Sequence, residues 1–490
     1  MELQTLATPS SLTLWWEKPE DAVRGETYKV LLSGQPSIET KVTHASFAHL
    51  APEASLHAKV MRNHVLLGEA DIVLPALPRK RLVTDFGAKG DGQTLNTVAI
   101  QAAIDALSPG DELVIPSGTF LTGALRLHSH MSLYLEEGAV LQGTERPEDY
   151  LPKIPSRFEG IEMMCFQSLL NLGHMDHTSP ANCEDVLIHG PGTLSGGGQA
   201  LALNIIASER VRLQAEIEAL GDKIKEYENN NTIPGRARGR LINLSNCRNI
   251  RISGLTLRNG AAWNMHMLYS RGIVTDHCTF YSEGVWNGDG WDPDSSENCT
   301  LFGCTFHTGD DSVAIKSGKN PDGNIINLPT RHIRIFDCVS EYGLGIAIGS
   351  EMSGGVEDVR IWDCDLEHSL YGVQIKGTKK RGGYVRNVHV SDSILSRFLT
   401  CAVLYNDDGE GSAVPPRFSD IHLKRVHLTG WARNYWEKEE HAMAAIDLSG
   451  FDVPGYEASD ITCEECTLGK DTGISLSHTK NIRLDIAQHD

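Results

Sequence analysis

Acidic side chains beside glycines mark the stretch from position 287 to 318 of this sequence. They come in two groups about one repeat apart, Asp289, Asp292 and Asp294, followed by the adjacent pair Asp310 and Asp311. Groups at such a spacing would stack on neighbouring turns of a coiled sheet and bring their carboxyl groups together. Hydrolysis of a glycosidic bond needs one carboxylic acid and one carboxylate across that bond. The sequence therefore predicts a carboxyl cluster suited to glycoside hydrolysis.

An internal repeat predicts the elements that would position these aspartates. From position 247 onward, short runs such as NIRISGLTL, CTLFGCTF, HIRIFDCVS and DVRIWDCDL return with a small residue at one fixed position. Cys278 and Cys304 are 26 positions apart, as are Cys338 and Cys364, and Cys466 fits the same alignment. A period of this size with β-branched strands is typical of a right-handed parallel β-helix. We expect the cysteines to point inward as small apolar side chains.

The predicted fold class is all-β, a right-handed parallel β-helix with a small N-terminal β-sandwich domain and a helical insertion. The first strands alternate apolar and polar residues between turns, and Trp15 with Leu50-x-Pro52 resembles a fibronectin type III module. The helical insertion has helix-period apolar spacing and many charge pairs. In chain order the predicted segments are the sandwich (1–75), a linker (76–81) and the β-helix domain (82–490), with its insertion at about 206–229.

Composition argues against several classes of partner. The 490 residues include 44 basic and 64 acidic ones, a net charge of −20 that disfavours binding to nucleic acid or anionic membranes. No apolar run approaches the roughly 20 residues that a membrane helix needs. The first residues lack the basic and apolar regions of a secretory signal, so we expect a cytoplasmic protein. The 11 cysteines fit no zinc spacing, and we expect neither a metal site nor a cofactor.

Several motifs carry a resemblance to a known family. DFGAKGDG lies near position 85, NGDGWDPDS at 287, GDDSVAIKSG at 309, GLGIAIGSEMSGG at 343 and GVQIKGTKKRGG at 372. In this order the chain resembles glycoside hydrolase family 28. The resemblance is strongest to bacterial exo-acting polygalacturonases that carry an N-terminal fibronectin-like module. It implies a parallel β-helix enzyme acting on pectic sugars.

The resemblance also implies roles for the aspartates. Asp311 would be the general acid, while Asp289 and Asp310 would activate the attacking water and give inversion of configuration. Inversion needs room for that water, with carboxyl groups about 6.5–9.5 Å apart. Crowding three carboxyl groups raises the pKa of at least one of them, which keeps an acid protonated near neutrality. Asp292 matches a family aspartate and is a secondary candidate.

Substrate contacts are implied for a second set of residues, and two of its positions depart from the family pattern. Leu344 stands where the family has a histidine, and Gln374 stands where it has an arginine. Glutamine cannot form the charge-assisted bidentate pair that arginine makes with a carboxylate. We therefore expect either weakened activity or an unusual sugar beside the scissile bond. The residues expected to bind substrate are Lys376, Arg381, Asn287, Gln374 and Asp292.

The sequence thus predicts an inverting glycoside hydrolase that cleaves α-1,4-galacturonosyl linkages of pectic oligosaccharides from a chain end. Three alternatives remain open at this stage. One is the same chemistry on another pectic linkage, such as a rhamnogalacturonan-type or substituted chain. Another is a non-catalytic carbohydrate-binding β-helix, and the third is a Ca²⁺-dependent pectate lyase. The oligomeric state is not predicted.

Overall fold

The computed structural model describes residues 2–222, 237–405, 407, 410–433 and 439–488. The chain divides into two compact units, Met1–Lys80 and Arg81–Asp490. Within the described ranges, no helix is both long enough and apolar enough to cross a membrane.

The N-terminal unit consists of two antiparallel sheets that enclose one apolar core. Trp16 lies in that core against Tyr28, with ring centroids 5.4 Å apart. The core tryptophan is therefore Trp16, the neighbour of the Trp15 on which the fibronectin resemblance was based, and that resemblance stays a prediction. The three-stranded sheet contains Gln4–Thr8, Ser11–Trp15 and His44–Ala48, and the four-stranded sheet contains Tyr28–Leu32, Ile38–Thr40, Ser55–Arg62 and Val65–Val73.

The second unit is a right-handed parallel β-helix, which confirms the predicted fold class. A typical coil places two strands in a long sheet of 24 strands and one in a sheet of 11 strands. One such coil contributes Cys247–Ser253 and Thr256–Arg258 to the long sheet and Met265–Leu268 to the shorter one. We call the shorter sheet the site sheet. Its strands are Leu125–Leu127, Leu170–Gly173, Ile242–Ser245, Met265–Leu268, Trp291–Asp294, Val313–Ile315, Ile346–Ile348, Val373–Gly377, Phe398–Ala402, Ile446–Ser449 and Ile474–Ser477.

The long sheet follows the same coils on their other sides. Its strands are Lys80–Leu82, Asp91–Leu95, Glu112–Ile115, Gly118–Thr122, Ser132–Leu135, Ala139–Gly143, Cys183–His189, Thr193–Ser195, Cys247–Ser253, Thr256–Arg258, Arg271–Asp276, Thr279–Tyr281, Glu297–Phe302, Thr305–His307, Thr330–Phe336, Val339–Tyr342, Val356–Trp362, Asp365–Leu366, Tyr384–Ser391, Ile394–Leu395, Arg417–Lys424, His427–Leu428, Ala458–Leu468 and Thr479–Gln488. Two antiparallel pairs lie outside it, Ile154–Phe158 with Ile161–Cys165 and Trp431–Arg433 with Glu440–Ala442.

The interior of the coil is filled by apolar side chains in register. Ile, Val, Leu and Phe dominate one continuous core that runs the length of the β-helix. The five aligned cysteines lie in this core with at most 1% of their surface exposed, as the repeat predicted. The backbone N–H of Cys278 donates to the sulfur of Cys304 at 3.4 Å. Small thiols thus allow adjacent coils to stack closely.

The helical insertion begins earlier in the chain than its charge pattern predicts. The helices there are Gly198–Arg212 and Gln214–Leu220, while residues 223–229 of the predicted segment lie outside the described residues. The first of them buries Leu201, Ala202 and Ile205 against other apolar side chains of the β-helix unit. Its start was missed because these apolar residues follow a glycine run. The other helices among the described residues are Thr97–Asp105 and Asp322–Ile326, with short 3-10 turns at Val83–Phe86 and Pro147–Tyr150.

Candidate active site

The site sheet presents the aspartates on its outer face. Trp291 pairs with Val313 on the next coil, and Val313 pairs with Ile346. These three side chains point into the core. Successive residues of a strand face opposite sides, and neighbouring strands lie about 4.8 Å apart. The side chains between these apolar ones therefore point outward and form one outer surface of the site sheet. On this surface, equivalent positions of successive coils are neighbours.

Asp289 and Asp292 share one lysine. Lys316 Nζ lies 3.0 Å from Asp289 Oδ2 and 3.1 Å from Asp292 Oδ2. All three side chains are at most 5% exposed. Burial raises the pKa of Asp292 well above its ordinary value, and the neighbouring charge of Asp289 adds to this. Burial would lower the pKa of Lys316, but Asp289 and Asp292 outweigh it and raise the pKa well above the ordinary value.

Asp311 has a lysine of its own. Lys376 Nζ donates to Asp311 Oδ2 at 3.0 Å, and both side chains are at most 8% exposed. Burial raises the pKa of Asp311, and the positive charge of Lys376 opposes that rise. The predicted substrate ligand Lys376 is therefore in the site, where it binds a carboxyl group of the cluster.

Asp310 is the carboxyl group of the cluster that lacks a cation. Among the described residues, no lysine, arginine or histidine forms an ion pair with it. Its Oδ1 accepts a hydrogen bond from the backbone N–H of Asp311 at 3.0 Å. Burial raises the pKa of Asp310 well above its ordinary value, and the charges of Asp289 and Asp311 raise it further. Asp310 is thus the member of the cluster best suited to hold a proton.

Lys316 is a site residue that the sequence reasoning missed. Besides its two carboxyl partners, its Nζ lies 4.0 Å from the centre of the Trp263 ring. The signal was present, because Ala314-Ile-Lys316 and Gln374-Ile-Lys376 place a lysine at the same point of two coils. Only the second lysine was singled out. Lys376 also lies near Tyr405, where burial raises the pKa of the tyrosine hydroxyl to about 12 and the charge of Lys376 opposes the shift.

Asp294 belongs to the structural framework beside the cluster. It is fully buried and accepts from Arg157 Nη1 at 2.6 Å, and its Oδ2 lies 3.2 Å from His266 Nε2. Burial would raise the pKa of Asp294, but Arg157 and His266 outweigh it and lower the pKa below its usual range. Burial lowers the pKa of His266 to about 3, so its ring is neutral at ordinary pH.

A β-hairpin covers the site sheet on the N-terminal side of the cluster. We call Ile154–Phe158 with Ile161–Cys165 the wall hairpin. Its Phe158 ring stacks on Trp263 with centroids 5.2 Å apart and planes 14° apart. At its tip the carbonyl of Gly160 accepts from the N–H of Lys319 at 2.8 Å. Outward-facing side chains beneath it, such as Asn243 and His266, are at most 2% exposed. The outer surface is therefore covered on this side.

Asn287 and Arg381 were predicted to bind substrate, and the structure engages both with protein groups. Arg238 Nη2 donates to Asn287 Oδ1 at 2.5 Å, and Asn287 is half-buried. Arg381 is 0% exposed, and its guanidinium donates to the carbonyl of Ser350 at 2.8 Å and to Asn320 Oδ1 at 2.5 Å. A guanidinium with no exposed surface cannot contact a substrate carboxylate. The prediction for Arg381 is corrected accordingly, because a basic run in the sequence does not reveal which of its members is buried.

Leu344 and Gln374 lie beside the cluster, as their motifs predicted. The N–H of Leu344 donates to the carbonyl of Asp310 at 3.0 Å, and its side chain is half-buried. Gln374 lies two positions before Lys376 on the strand Val373–Gly377 and pairs with Ala347 of the preceding coil. It is 6% exposed. Both departures from the family pattern therefore lie in or beside the site.

A separate group of potential metal ligands lies on the long sheet. The ligand atoms of His130, Glu184 and Asp185 are within 4.8 Å of one another. Arg248 Nε donates to Glu184 at 2.9 Å, and Asn249 donates to Asp185 at 3.2 Å. These protein contacts account for both carboxylates, and we assign the group no role.

Comparisons with known proteins agree with the motifs. A family model described as glycosyl hydrolases family 28 matches residues 178–443. A second model, described as rhamnogalacturonase A/epimerase, pectate lyase-like, matches residues 81–134. A probable polygalacturonase of Vitis vinifera is 36% identical over 321 residues, or 63% of this chain and 59% of that relative. An exo-poly-alpha-D-galacturonosidase of Dickeya chrysanthemi is 28% identical over 376 residues, or 72% of this chain and 62% of that relative. Each match spans less than two thirds of the relative's own length.

Solved structures show the same fold. The family 28 exopolygalacturonase of Yersinia enterocolitica matches with a TM-score of 0.81 at 23% identity, covering 100% of this chain and 96% of that one. A hyperthermoactive exopolygalacturonase from Thermotoga maritima matches with a TM-score of 0.67 at 25% identity, and the match covers 84% of this chain and 92% of that one. The family model covers more than half of this sequence. The chain belongs to glycosyl hydrolase family 28.

Proposed function

We propose that this chain is an inverting hydrolase of α-1,4-galacturonosyl linkages that acts on pectic oligogalacturonates from a chain end. The observation that supports the proposal most strongly is that some carboxyl groups of the cluster contact a lysine and one does not. Asp289 and Asp311 each contact a lysine, whereas Asp310 contacts none among the described residues. A hydrolase of this class needs one group that donates a proton and another that stays ionised to activate water.

The pairing supports an assignment of roles that differs from the one implied by the resemblance. Asp310 is the general acid in this proposal, because its pKa is raised well above the ordinary value and, among the described residues, no cation forms an ion pair with it. Asp289 and Asp311 accept the proton of the attacking water in this proposal, because each lies 3.0 Å from a lysine ammonium, Lys316 for Asp289 and Lys376 for Asp311. The resemblance gave the acid role to Asp311, which lies against Lys376 instead. Neighbouring motif residues cannot be told apart before their contacts are known.

The wall hairpin supports action from a chain end. It covers the outer surface of the site sheet as far as Asp294, and Arg157 ties it there. A polymer running along the coils would meet this hairpin next to the carboxyl cluster. The end of a chain can approach from the other side, where Asp310 and Leu344 are partly exposed. The proposal therefore favours release of single terminal units over cleavage at internal bonds.

The relatives support the same substrate class. One is named an exo-poly-alpha-D-galacturonosidase, at 28% identity, and another is titled an exopolygalacturonase, at 25% identity. Hydrolysis of galacturonosyl linkages is the activity that these names share.

Product analysis with trigalacturonate and long polygalacturonate tests the proposal. We expect monogalacturonate from the first time points with both substrates, and no product with a double bond. The matched control is Asp310→Asn, which should bind the same substrates and release almost nothing. A ladder of intermediate sizes would contradict exo action. Unsaturated products would contradict hydrolysis, and equal turnover in the control would contradict the role of Asp310.

A further inference from the structure

The floor of the site changes character on the open side of the carboxyl cluster. On one row of the outer face, Ala347, Gln374 and Leu399 occupy neighbouring coils, because Gln374 pairs with Ala347 on one side and with Leu399 on the other. All three side chains are at most 6% exposed. This row carries no charge, whereas Asp292, further back on the same face, is acidic. A sugar unit lying over Gln374 therefore meets a neutral surface.

Gln374 has one polar end with a hydrogen-bond partner and one end without a partner among the described residues. Its Nε2 donates to the sulfur of Cys401 at 3.1 Å. Its Oε1 is buried, and none of the described residues supplies a hydrogen-bond partner for it. Turning the amide over would exchange the two ends and still leave one without a partner. A nearly buried polar atom without a partner costs free energy unless a ligand supplies the missing hydrogen bond.

Charged groups near this position are already committed. Lys376, two residues along the same strand, donates to Asp311 at 3.0 Å. Arg397 directly precedes the neighbouring strand Phe398–Ala402. Its guanidinium donates to the carbonyl of Ala444 at 2.8 Å and lies 3.4 Å from the carboxylate of Asp447. A free carboxylate over Gln374 would lose its water without gaining a cation of its own. An uncharged hydrogen-bonding group would lose much less.

We propose that the sugar unit bound over Gln374, on the open side of the carboxyl cluster, carries no free carboxylate and is recognised through a hydroxyl or an ester group. This inference rests on the proposed function and narrows its substrate. Two sources share that chemistry, a galacturonate whose carboxyl group is methyl-esterified and a neutral sugar such as rhamnose. In either case the second unit, on the closed side, remains a galacturonate.

Four disaccharides test the inference with the unmodified enzyme. They are digalacturonate, its two methyl monoesters with the ester on one unit or the other, and galacturonosyl-rhamnose with the same α-1,4 linkage. We expect kcat/KM to be roughly tenfold or more higher for one monoester, for galacturonosyl-rhamnose, or for both, than for digalacturonate. Preference for the monoester identifies an esterified galacturonate, and preference for the rhamnoside identifies a neutral sugar. A kcat/KM that is highest for digalacturonate overturns the inference.

Variants at position 374 add a second test. Gln374→Arg supplies a cation. It should raise kcat/KM for digalacturonate, relative to kcat/KM for the preferred substrate, by roughly tenfold or more. Gln374→Met keeps a side chain of similar size that forms no hydrogen bonds. It should lower kcat/KM for the preferred substrate and leave kcat/KM for digalacturonate unchanged. Unchanged ratios in a folded Gln374→Met variant would contradict the inference. If the enzyme cleaves none of the four compounds or longer oligogalacturonates, the proposed function itself fails, a result distinct from a preference for the free acid.

Discussion

At the scale of single residues, charge pairing separates four aspartates that look alike in the sequence. Asp289 and Asp292 share Lys316, Asp311 takes Lys376, and Asp310 has no such partner among the described residues. An ionised carboxyl group is stabilised by a nearby cation, while a buried one without a cation keeps its proton to higher pH. In the proposed mechanism, this difference in pairing makes Asp310 the proton donor and Asp289 and Asp311 the proton acceptors.

Asp310→Asn should remove activity and increase stability. The general acid contributes about 10² to 10⁴ in rate, so kcat should fall by that factor. The pKa of Asp310 is raised in the folded protein, so the folded state binds more protons than the unfolded chain between the unfolded and folded pKa values. Stability therefore falls as pH rises between these two pKa values, by about 1.4 kcal/mol for each pH unit that separates them. The asparagine side chain does not ionise, so the variant does not lose this stability as the pH rises. It should therefore melt at a higher temperature than the unmodified protein at neutral pH.

Thermal melting at two pH values checks the stability part. Below the unfolded pKa of an aspartate, about 3.9, both proteins carry a neutral group and should melt alike, provided that they remain folded. A variant that is inactive but no more stable at neutral pH would contradict the raised pKa of Asp310.

Lys316→Met should move the pH profile. Lys316 lies against the carboxyl cluster, and its charge opposes the raised pKa of Asp311, so removal of that charge makes ionisation of Asp311 less favourable. The acid limb of kcat/KM should then move upward by about one pH unit or more. Lys316→Arg keeps the charge and is the matched control. Identical acid limbs in the methionine variant and the unmodified enzyme would show that Lys316 has no part in keeping Asp311 ionised.

Residue identities were predicted better than residue contacts. The three catalytic candidates and Lys376 could be selected because short motifs surround them, and the structure brings all four together. Lys316 was missed and Arg381 was misplaced because the distinction depends on burial. One lysine faces the aspartates, while the arginine is covered completely. Burial depends on how coils and loops pack, and a basic residue in a glycine-rich turn shows none of this in sequence.

At the scale of elements, the wall hairpin determines which side of the cluster is open. It is held by the ion pair between Arg157 and Asp294, by Phe158 on Trp263, and by hydrogen bonds among Arg157, Tyr269 and Glu162. The sequence did not predict this hairpin as a separate element. Its residues, between positions 154 and 165, have neither the coil repeat nor a distinctive turn. Its function depends on contacts with coils more than 100 positions away.

Arg157→Met should loosen the wall hairpin and change the products. The substitution leaves Asp294 buried without its arginine, which costs about 3–5 kcal/mol of stability. We expect a lower melting temperature and release of dimers and longer fragments beside single units. The double variant Arg157→Met with Asp294→Asn removes the orphaned charge and should recover part of the stability while keeping the altered products. Monogalacturonate as the sole early product of both variants would show that the hairpin does not enforce exo action.

At the scale of the whole molecule, coil stacking brings the chemistry together. Asp289 and Asp311 precede paired strands on adjacent coils, and Lys376 comes from a strand two coils beyond Val313. The repeat of β-branched strands and small residues was sufficient to predict this architecture. How much of the outer surface is covered by inserted hairpins and helices could not be predicted, because such insertions between coils follow no repeat.

The central claim is inverting hydrolysis from a chain end with Asp310 as the acid, and one measurement tests it most directly. Proton NMR during the first turnovers of hexagalacturonate reports both the size and the anomeric configuration of the released sugar. We expect monogalacturonate as the first product, formed initially as the β-anomer and without dimers or trimers beside it, and Asp310→Asn should release almost none. An initial α-anomer would contradict inversion, and full activity of the variant would contradict the assignment of the acid.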